Sequence, residues 1–167
     1  MNKFKKTELV IYPIFIVVMI VLDQITKIIA QSVLPFGGTG VKVIDRFFYF
    51  TYMTNYGGAW SLFEGHTWIF VIAAVVAVGA LGYFFFKTKP EDKFARFGFA
   101  LVIAGAIGNC MDRIMLGFVR DFVDLIIFGY DFPIFNIADI CIVLGVFLII
   151  LDTFEEELKQ WRQSRKS

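Results

Sequence analysis

The sequence is poor in the residues that common hydrolytic and redox sites require. Histidine occurs once, at His66, and neither a G-x-S-x-G nor an H-E-x-x-H motif is present, so we expect neither a serine triad nor a zinc site. The two cysteines, Cys110 and Cys141, both lie in apolar runs, where cysteine usually acts as a small hydrophobic residue rather than as half of a disulfide. No glycine-rich phosphate loop stands out, and we expect no metal or other cofactor.

Charged residues are also scarce: Asp, Glu, Lys and Arg make up 19% of the chain, and hydrophobic residues make up 58%. A mean hydropathy of +0.71 is too high for a soluble domain of this size. A membrane-spanning helix needs about 20 mostly apolar residues. Four segments meet this requirement: 10–30, 67–86, 97–116 and 134–151. We therefore predict an all-α membrane protein with four transmembrane helices, forming a single domain over residues 1–167.

Basic residues are unevenly distributed among the connections between these spans. Eleven lysines and arginines lie before span one, between spans two and three, or after span four, whereas the other two connections contain only Lys42, Arg46 and Arg120. Because short connections rich in Lys and Arg stay in the cytoplasm, both termini are predicted to be cytoplasmic. Residues 31–66 and the loop after span three then lie on the extracytoplasmic side.

Several polar residues lie within or beside the apolar segments, and they are candidates for function because a charge in lipid is costly. They are Asp23, Lys27, Asn109, Asp112, Arg113, Asp121, Asn136 and Asp139. The predicted topology places them towards the outer ends of spans one and three, in the first turns of span four, and in the loop before span four. All of them should therefore converge on one layer near the extracytoplasmic surface.

Two pairs of these residues have a partner of opposite charge nearby in the sequence. Asp23 and Lys27 are i, i+4 neighbours on one helix face, and Asp112 lies beside Arg113. Such pairs can have a purely structural role, in which the two charges neutralise each other between helices. For these four residues, that structural role is as well supported as a functional one.

Asp121 and Asp139 have no equally local cation, because the side chain of Arg120 is expected to point away from Asp121. Two carboxylates at close range share a proton, which leaves one as a base for water and the other as an acid for the leaving group. This pattern predicts aspartic hydrolysis. The alternative is a small four-span proton- or ion-coupled transporter or channel. Transport sites are expected near the midplane, often within inverted repeats, and this chain has no visible repeat.

Five short motifs carry a resemblance to a known family. They are D-Q-I-T-K (Asp23 to Lys27), N-Y-G-G-A-W (Asn55 to Trp60), G-A-I-G-N-C-M-D-R (Gly105 to Arg113), V-R-D-F (Val119 to Phe122) and F-N-I-A-D (Phe135 to Asp139). In this order, on a chain with four spans, they resemble the bacterial lipoprotein signal peptidases, or signal peptidase II. One departure is Gly58, where the family more often has alanine; it is expected to loosen local packing and to leave the assignment intact.

The resemblance implies an intramembrane aspartic endopeptidase of the bacterial cytoplasmic membrane, with its active site towards the extracytoplasmic face. Its partners would be membrane lipids and prolipoproteins with a diacylglyceryl group on a cysteine, cleaved just before that cysteine; no nucleic acid is implied. By motif match, Asp121 and Asp139 would be the catalytic pair. The other matched positions would bind substrate or support the site: Asp23, Lys27, Asn55, Gly108, Asn109, Asp112, Arg113 and Asn136.

Three further segments carry weaker signals. Residues 41–54 are rich in β-branched and aromatic side chains, which favours short strands between spans one and two. The resemblance adds a small extracytoplasmic sheet there, and we expect the 31–66 segment to close over the bound peptide. The small residues of span two predict close helix packing. The tail 152–167 is expected to be either an amphipathic surface helix or a solvated tail.

Overall fold

The computed structural model describes residues 7–38, 40–57 and 67–165. This part of the chain contains four long helices: α1 (Glu8–Val33), α2 (Thr67–Lys87), α3 (Lys93–Leu116) and α4 (Ile137–Ser164). Each is long and apolar enough to cross a membrane, which confirms the four predicted spans by length and composition. The fourth helix begins three residues later than predicted, because Asn136 caps its N-terminus.

A four-stranded antiparallel sheet lies where α1 ends and α4 begins. Its strands, in spatial order, are β1 (Val41–Ile44), β2 (Phe48–Asn55), β3 (Val119–Ile127) and β4 (Tyr130–Asp131). The predicted strands between the first two helices are confirmed. The prediction of a plain loop between α3 and α4 is wrong, because its β-branched and aromatic residues pair with β2 along most of that strand.

Some predictions concern parts of the chain outside the described residues. The described residues do not include Gly58, Trp60 or His66. The closure of the 31–66 segment over a bound peptide therefore stays a prediction.

α3 is the most buried of the four helices, and it contacts each of the other three. The run from Ala100 to Ala104 is entirely buried. The other helices expose large apolar side chains, such as Val17, Val75 and Phe147. Exposed apolar surface of this extent is unusual for a soluble protein, and it costs little when the surrounding medium is hydrocarbon.

Glycines let α3 and α4 pack with their backbones almost in contact. A Cβ added to Gly98 would lie 2.6 Å from the carbonyl oxygen of Gly145, and one added to Gly145 would lie 2.6 Å from that of Gly98. On α2, by contrast, a Cβ at Gly79 or Gly82 would meet no described atom within 4 Å. The prediction of close packing through span two is therefore wrong at these glycines, and the close contact lies between α3 and α4.

We expect Gly98→Ala to destabilise the protein by about 1 to 3 kcal/mol, because the added methyl group would overpack the contact between α3 and α4. Gly79→Ala is the matched control, since its methyl group would enter open space. It should leave stability unchanged, or raise it by up to about 1 kcal/mol through helix propensity. Unfolding of the detergent-purified proteins, followed by circular dichroism, measures both effects. Equal effects of the two substitutions would contradict this account of the packing.

The tail is helical and continues α4 as far as Ser164. At about 1.5 Å per residue, the helix is about 42 Å long, which exceeds the roughly 30 Å of the hydrocarbon layer. Its last turns carry an exposed Lys159–Glu155 ion pair at 3.1 Å. The tail is therefore a continuation of α4 and not a separate surface helix, and its exposed charges fit the predicted solvated tail.

Candidate active site

The start of α4 fixes the position of Asp139 through a capping box. The side-chain oxygen of Asn136 accepts a hydrogen bond from the backbone N–H of Asp139 at 3.0 Å. In return, Oδ2 of Asp139 accepts one from the backbone N–H of Asn136 at 3.2 Å. This reciprocal arrangement satisfies two N–H groups at the helix terminus, and it holds the Asp139 carboxylate in one orientation.

Asp121 reaches the same place from strand β3, and it is almost completely buried, at 3% exposure. The side-chain amide of Asn136 donates to its Oδ1 at 2.6 Å. Asn55, at the end of β2, donates to its Oδ2 at 2.9 Å. Asn136 therefore contacts both Asp121 and Asp139, and it links the sheet to the first turn of α4.

Asn109 of α3 completes the set of amides around the two carboxylates. Its Nδ2 donates to Oδ1 of Asp139 at 2.7 Å, and its Oδ1 accepts from Nζ of Lys27 at 2.9 Å. Because an ammonium group can only donate, Lys27 fixes the Asn109 amide with its oxygen towards the lysine and its N–H towards Asp139. Each carboxylate oxygen of Asp121 and Asp139 thus accepts one N–H group.

Lys27 is fully buried and balances the charges of two carboxylates. Its Nζ lies 2.8 Å from Oδ2 of Asp23, which confirms the predicted i, i+4 pair, and 3.6 Å from Oδ2 of Asp112. Oδ1 of Asp23 also accepts the backbone N–H of Ala138 at 2.9 Å, so it joins α1 to the first turn of α4. A Cβ at Gly108 would lie 2.7 Å from Asp23, which explains the need for glycine there.

Asp112 pairs with Arg120 of β3. Nη2 of Arg120 lies 2.7 Å from Oδ1 of Asp112, and its Nε and backbone N–H donate to Oδ2 at 3.2 and 3.0 Å. The predicted pairing of Asp112 with Arg113 is therefore wrong, because adjacent helix residues do not face each other. The prediction that Arg120 points away from Asp121 is confirmed, since successive strand residues face opposite sides.

Gln24 belongs to this polar cluster, although it was not among the predicted site residues. Its Nε2 donates to Oδ1 of Asp112 at 3.1 Å, and its Oε1 accepts from Nη2 of Arg120 at 2.9 Å. The available signal was its place in the D-Q-I-T-K motif, beside Asp23 in an apolar span. Gln24 and Arg120 together hold α1, α3 and β3 in place behind the two carboxylates.

Arg113 has a different environment from the other charged residues of the site. Its guanidinium carbon lies 4.6 Å from the ring centroid of Phe70. Its Nη1 makes a long hydrogen bond of 3.4 Å to the carbonyl oxygen of Asn109. Within residues 7–38, 40–57 and 67–165, no ion pair joins it to a carboxylate, so its positive charge remains available to the cavity that it lines.

Both carboxylates line one cavity of about 340 Å³ between the helices and the sheet, which we call the catalytic cavity. The cavity brings together five of the predicted site residues: Asn55, Asn109, Arg113, Asp121 and Asp139. The other five surround it as partners of those residues or of one another: Asp23, Lys27, Gly108, Asp112 and Asn136. All ten therefore belong to one cluster.

Burial is the main reason that the pKa of Asp121 is raised to about 7; the nearby charge of Asp139 also raises it, and hydrogen bonds from Asn55 and Asn136 oppose the rise. This carboxyl group can therefore gain or lose a proton near neutral pH. Such a pKa suits a group that transfers protons during hydrolysis.

Four helices able to span a membrane, and one cavity that holds the buried carboxylate of Asp121 beside the half-buried Asp139, define a multi-pass membrane protein with a site suited to hydrolysis. Residues 15–155 match the family described as signal peptidase (SPase) II. The chain belongs to the signal peptidase II family.

Individual relatives agree with this assignment. The chain is 42% identical, over 135 residues, to the lipoprotein signal peptidases of Staphylococcus aureus strains JH9 and Newman, and the match covers 81% of this chain and 82% of theirs. Two solved bacterial membrane enzyme structures, obtained by the in meso method, are also similar. One, at 2.3 Å resolution, has a TM-score of 0.84 and 37% identity and covers 94% of each chain. The other, at 1.9 Å, has a TM-score of 0.79 and 38% identity and covers 90% of this chain and 94% of its own.

Proposed function

We propose that this protein is an aspartic endopeptidase that removes the signal peptide from diacylglyceryl-modified prolipoproteins, cleaving just before the lipidated cysteine. The family and the names of the relatives support this activity. The observation that carries the proposal is that the carboxylates of Asp121 and Asp139 line one cavity and are joined through Asn136.

In this proposal, Asp121 and Asp139 share one proton. The ionised carboxylate takes a proton from water while the resulting hydroxyl adds to the scissile carbonyl carbon, and the protonated carboxyl group donates to the carbonyl oxygen. Collapse of the tetrahedral intermediate breaks the peptide C–N bond, and a proton passes to the nitrogen of the cysteine. The products are a signal peptide with a new carboxyl terminus and a lipoprotein with a free amino terminus.

The surrounding residues orient this pair or hold the substrate. Asn55, Asn109 and Asn136 donate to the carboxylates, and they would keep both acids aligned through the reaction. Arg113 offers N–H donors to substrate carbonyl groups in the same cavity. The remaining residues would support the site by balancing charge or by allowing close packing: Asp23, Lys27, Gly108 and Asp112.

The rate of cleavage should fall as pH rises through about 7, because the pKa of Asp121 lies near that value and the pair must retain one proton. Above this pH both carboxylates are ionised, and no acid remains to protonate the carbonyl oxygen. Asn55→Ala removes a hydrogen bond that lowers the pKa of Asp121, so the alkaline limb should move to higher pH. A pH profile of kcat/KM, which reports the pKa values of the free enzyme, tests this prediction for both proteins, and a limb that stays in place or moves to lower pH would contradict it.

We also propose that both termini are cytoplasmic and that the catalytic cavity faces the extracytoplasmic side of the bacterial cytoplasmic membrane. The basic residues before α1, between α2 and α3 and after α4 support this orientation. A lipid-modified cysteine lies at the outer membrane surface, the depth at which this topology positions Asp121 and Asp139. The whole chain would act as a single domain. The alternative of a transporter or channel has no support from the family or its relatives.

The direct test uses the purified protein and one prolipoprotein in two forms, with and without the diacylglyceryl group on its cysteine. Only the lipidated form should be cleaved, with mass spectrometry showing the cut immediately before the modified cysteine. Cleavage of both forms at similar rates, or of neither form, would contradict the proposed function.

A further inference from the structure

A second cavity borders the catalytic cavity and lies along the first turns of α4. This α4 groove has a volume of about 250 Å³ and is lined by Phe132, Phe135, Asp139, Ile140, Val143 and Leu144. Phe132, Phe135 and Asp139 line the catalytic cavity as well. The two cavities therefore share Asp139, one residue of the pair, and every other side chain that lines the groove is apolar.

The apolar surface of the groove continues along the same helix. Val143 and Leu144 are 66% and 50% exposed, and Phe147 and Leu151, at i+3 or i+4 spacing, extend the stripe. From Asp139 to Leu151 the helix rises about 18 Å, somewhat more than half of the roughly 30 Å hydrocarbon layer. A chain lying along this stripe would therefore reach from the catalytic cavity to the middle of the bilayer.

Two other apolar grooves are available for comparison. One lies between α2 and α3 and includes Val75 and Cys110, and the other lies between α1 and the sheet and includes Phe50. Neither is lined by Asp121 or Asp139. Of these three apolar grooves, the α4 groove is the one lined by a residue of the pair, Asp139.

The chemistry of the substrate requires such a groove, if the proposed function holds. The diacylglyceryl group is attached to the cysteine directly after the scissile bond, so its acyl chains must leave the site within a few bonds of the reacting carbonyl. They must also remain in an apolar environment. An apolar groove that begins at Asp139 and runs towards the bilayer centre meets both conditions.

We propose that the α4 groove binds an acyl chain of the diacylglyceryl group, and that it thereby selects substrates with a lipidated cysteine. This inference rests on the proposed function. Because lipid is as apolar as the groove, the bound chain gains little hydrophobic free energy. The groove acts instead by holding the cysteine, and hence the scissile bond, in register with the two carboxylates.

Leu144→Trp tests the inference by filling the groove from an exposed position where the larger side chain should not disturb the core. The substrates are two prolipopeptides of the same sequence, whose cysteines carry long or very short acyl chains. The variant should lower kcat/KM for the long-chain substrate at least about tenfold more than for the short-chain one. Val75→Trp is the matched control, at an exposed position in the groove between α2 and α3, and it should leave the ratio of the two values as in the wild type.

Two results would overturn the inference: an unchanged ratio in Leu144→Trp, or the same change in Val75→Trp. A second measurement does not depend on activity. A photoreactive group on the acyl chain of substrate bound to Asp121→Asn should cross-link to residues 140–151, and cross-links confined to α2 would overturn the inference too. If instead the wild type cleaves neither prolipopeptide, it is the proposed function that fails.

Discussion

Asp121→Asn and Asp139→Asn are each expected to lower the rate of prolipoprotein cleavage by at least about 1,000-fold, since removal of one member of a catalytic unit abolishes the action of the whole unit. Asparagine has nearly the shape of aspartate, but it cannot exchange a proton with water or with the scissile carbonyl group. Cleavage of a lipidated substrate by the purified variants measures the loss. Thermal unfolding should show that both variants remain folded.

Asp124→Asn is the matched control, because Asp124 lies on the same strand as Asp121 and also accepts a side-chain hydrogen bond. Its partner is the hydroxyl group of Thr51, at 2.7 Å, and an asparagine oxygen can accept that bond equally well. This variant should keep nearly all of its activity. If it is as inactive as the other two, or if either of them keeps more than about a tenth of wild-type activity, the assignment of the pair is wrong.

Lys27→Met should have the largest effect on stability, about 3 to 5 kcal/mol, because it leaves the buried carboxylate of Asp23 without its cation. Activity should fall as well, since Asn109 loses the donor that orients its amide. Lys159→Met provides the surface control. Its ion pair with Glu155 is exposed, so its removal should cost less than about 1 kcal/mol.

The double variant Asp23→Asn/Lys27→Met separates the two roles of Lys27. It removes the charge of Asp23 together with that of Lys27, so it should recover part of the lost stability. The side-chain amide of Asn109 would still lack the Lys27 ammonium group that donates to its oxygen. The pH profile of kcat should therefore remain altered. Full recovery of both stability and the pH profile would show that Lys27 serves only to neutralise charge.

The sequence predicted the membrane helices, ten residues of the polar cluster and the Asp23–Lys27 pair, but it missed Gln24 and the partner of Asp112. A long apolar run is enough to identify a membrane span. A charged residue within such a run, such as Asp23 or Asp139, is easily recognised as unusual. The partner of Asp112 depends on where β3 approaches α3, which is set by tertiary structure. The neighbour Arg113 therefore looked like the partner, whereas the observed one is Arg120, eight residues away.

The sheet shows the same distinction between local and long-range information. The β-branched and aromatic residues of β2 were enough to predict a strand there. β3 was not predicted, because its residues were assigned to the loop that connects α3 and α4. Its pairing with β2 joins residues more than 60 positions apart, such as Asn55 and Val119. That pairing positions Asp121 opposite the start of α4, so the geometry of the carboxylate pair could not be derived from spacing alone.

The central claim is that Asp121 and Asp139 act together on one tetrahedral intermediate. The most direct measurement is the affinity of two lipopeptide inhibitors that differ only at the scissile position, where one carries a tetrahedral hydroxyl-bearing carbon and the other a methylene group. The hydroxyl group should improve binding to the wild type by at least about 100-fold, and Asp121→Asn and Asp139→Asn should each abolish that gain. A gain that persists in either variant, or one that is absent from the wild type, would contradict the account.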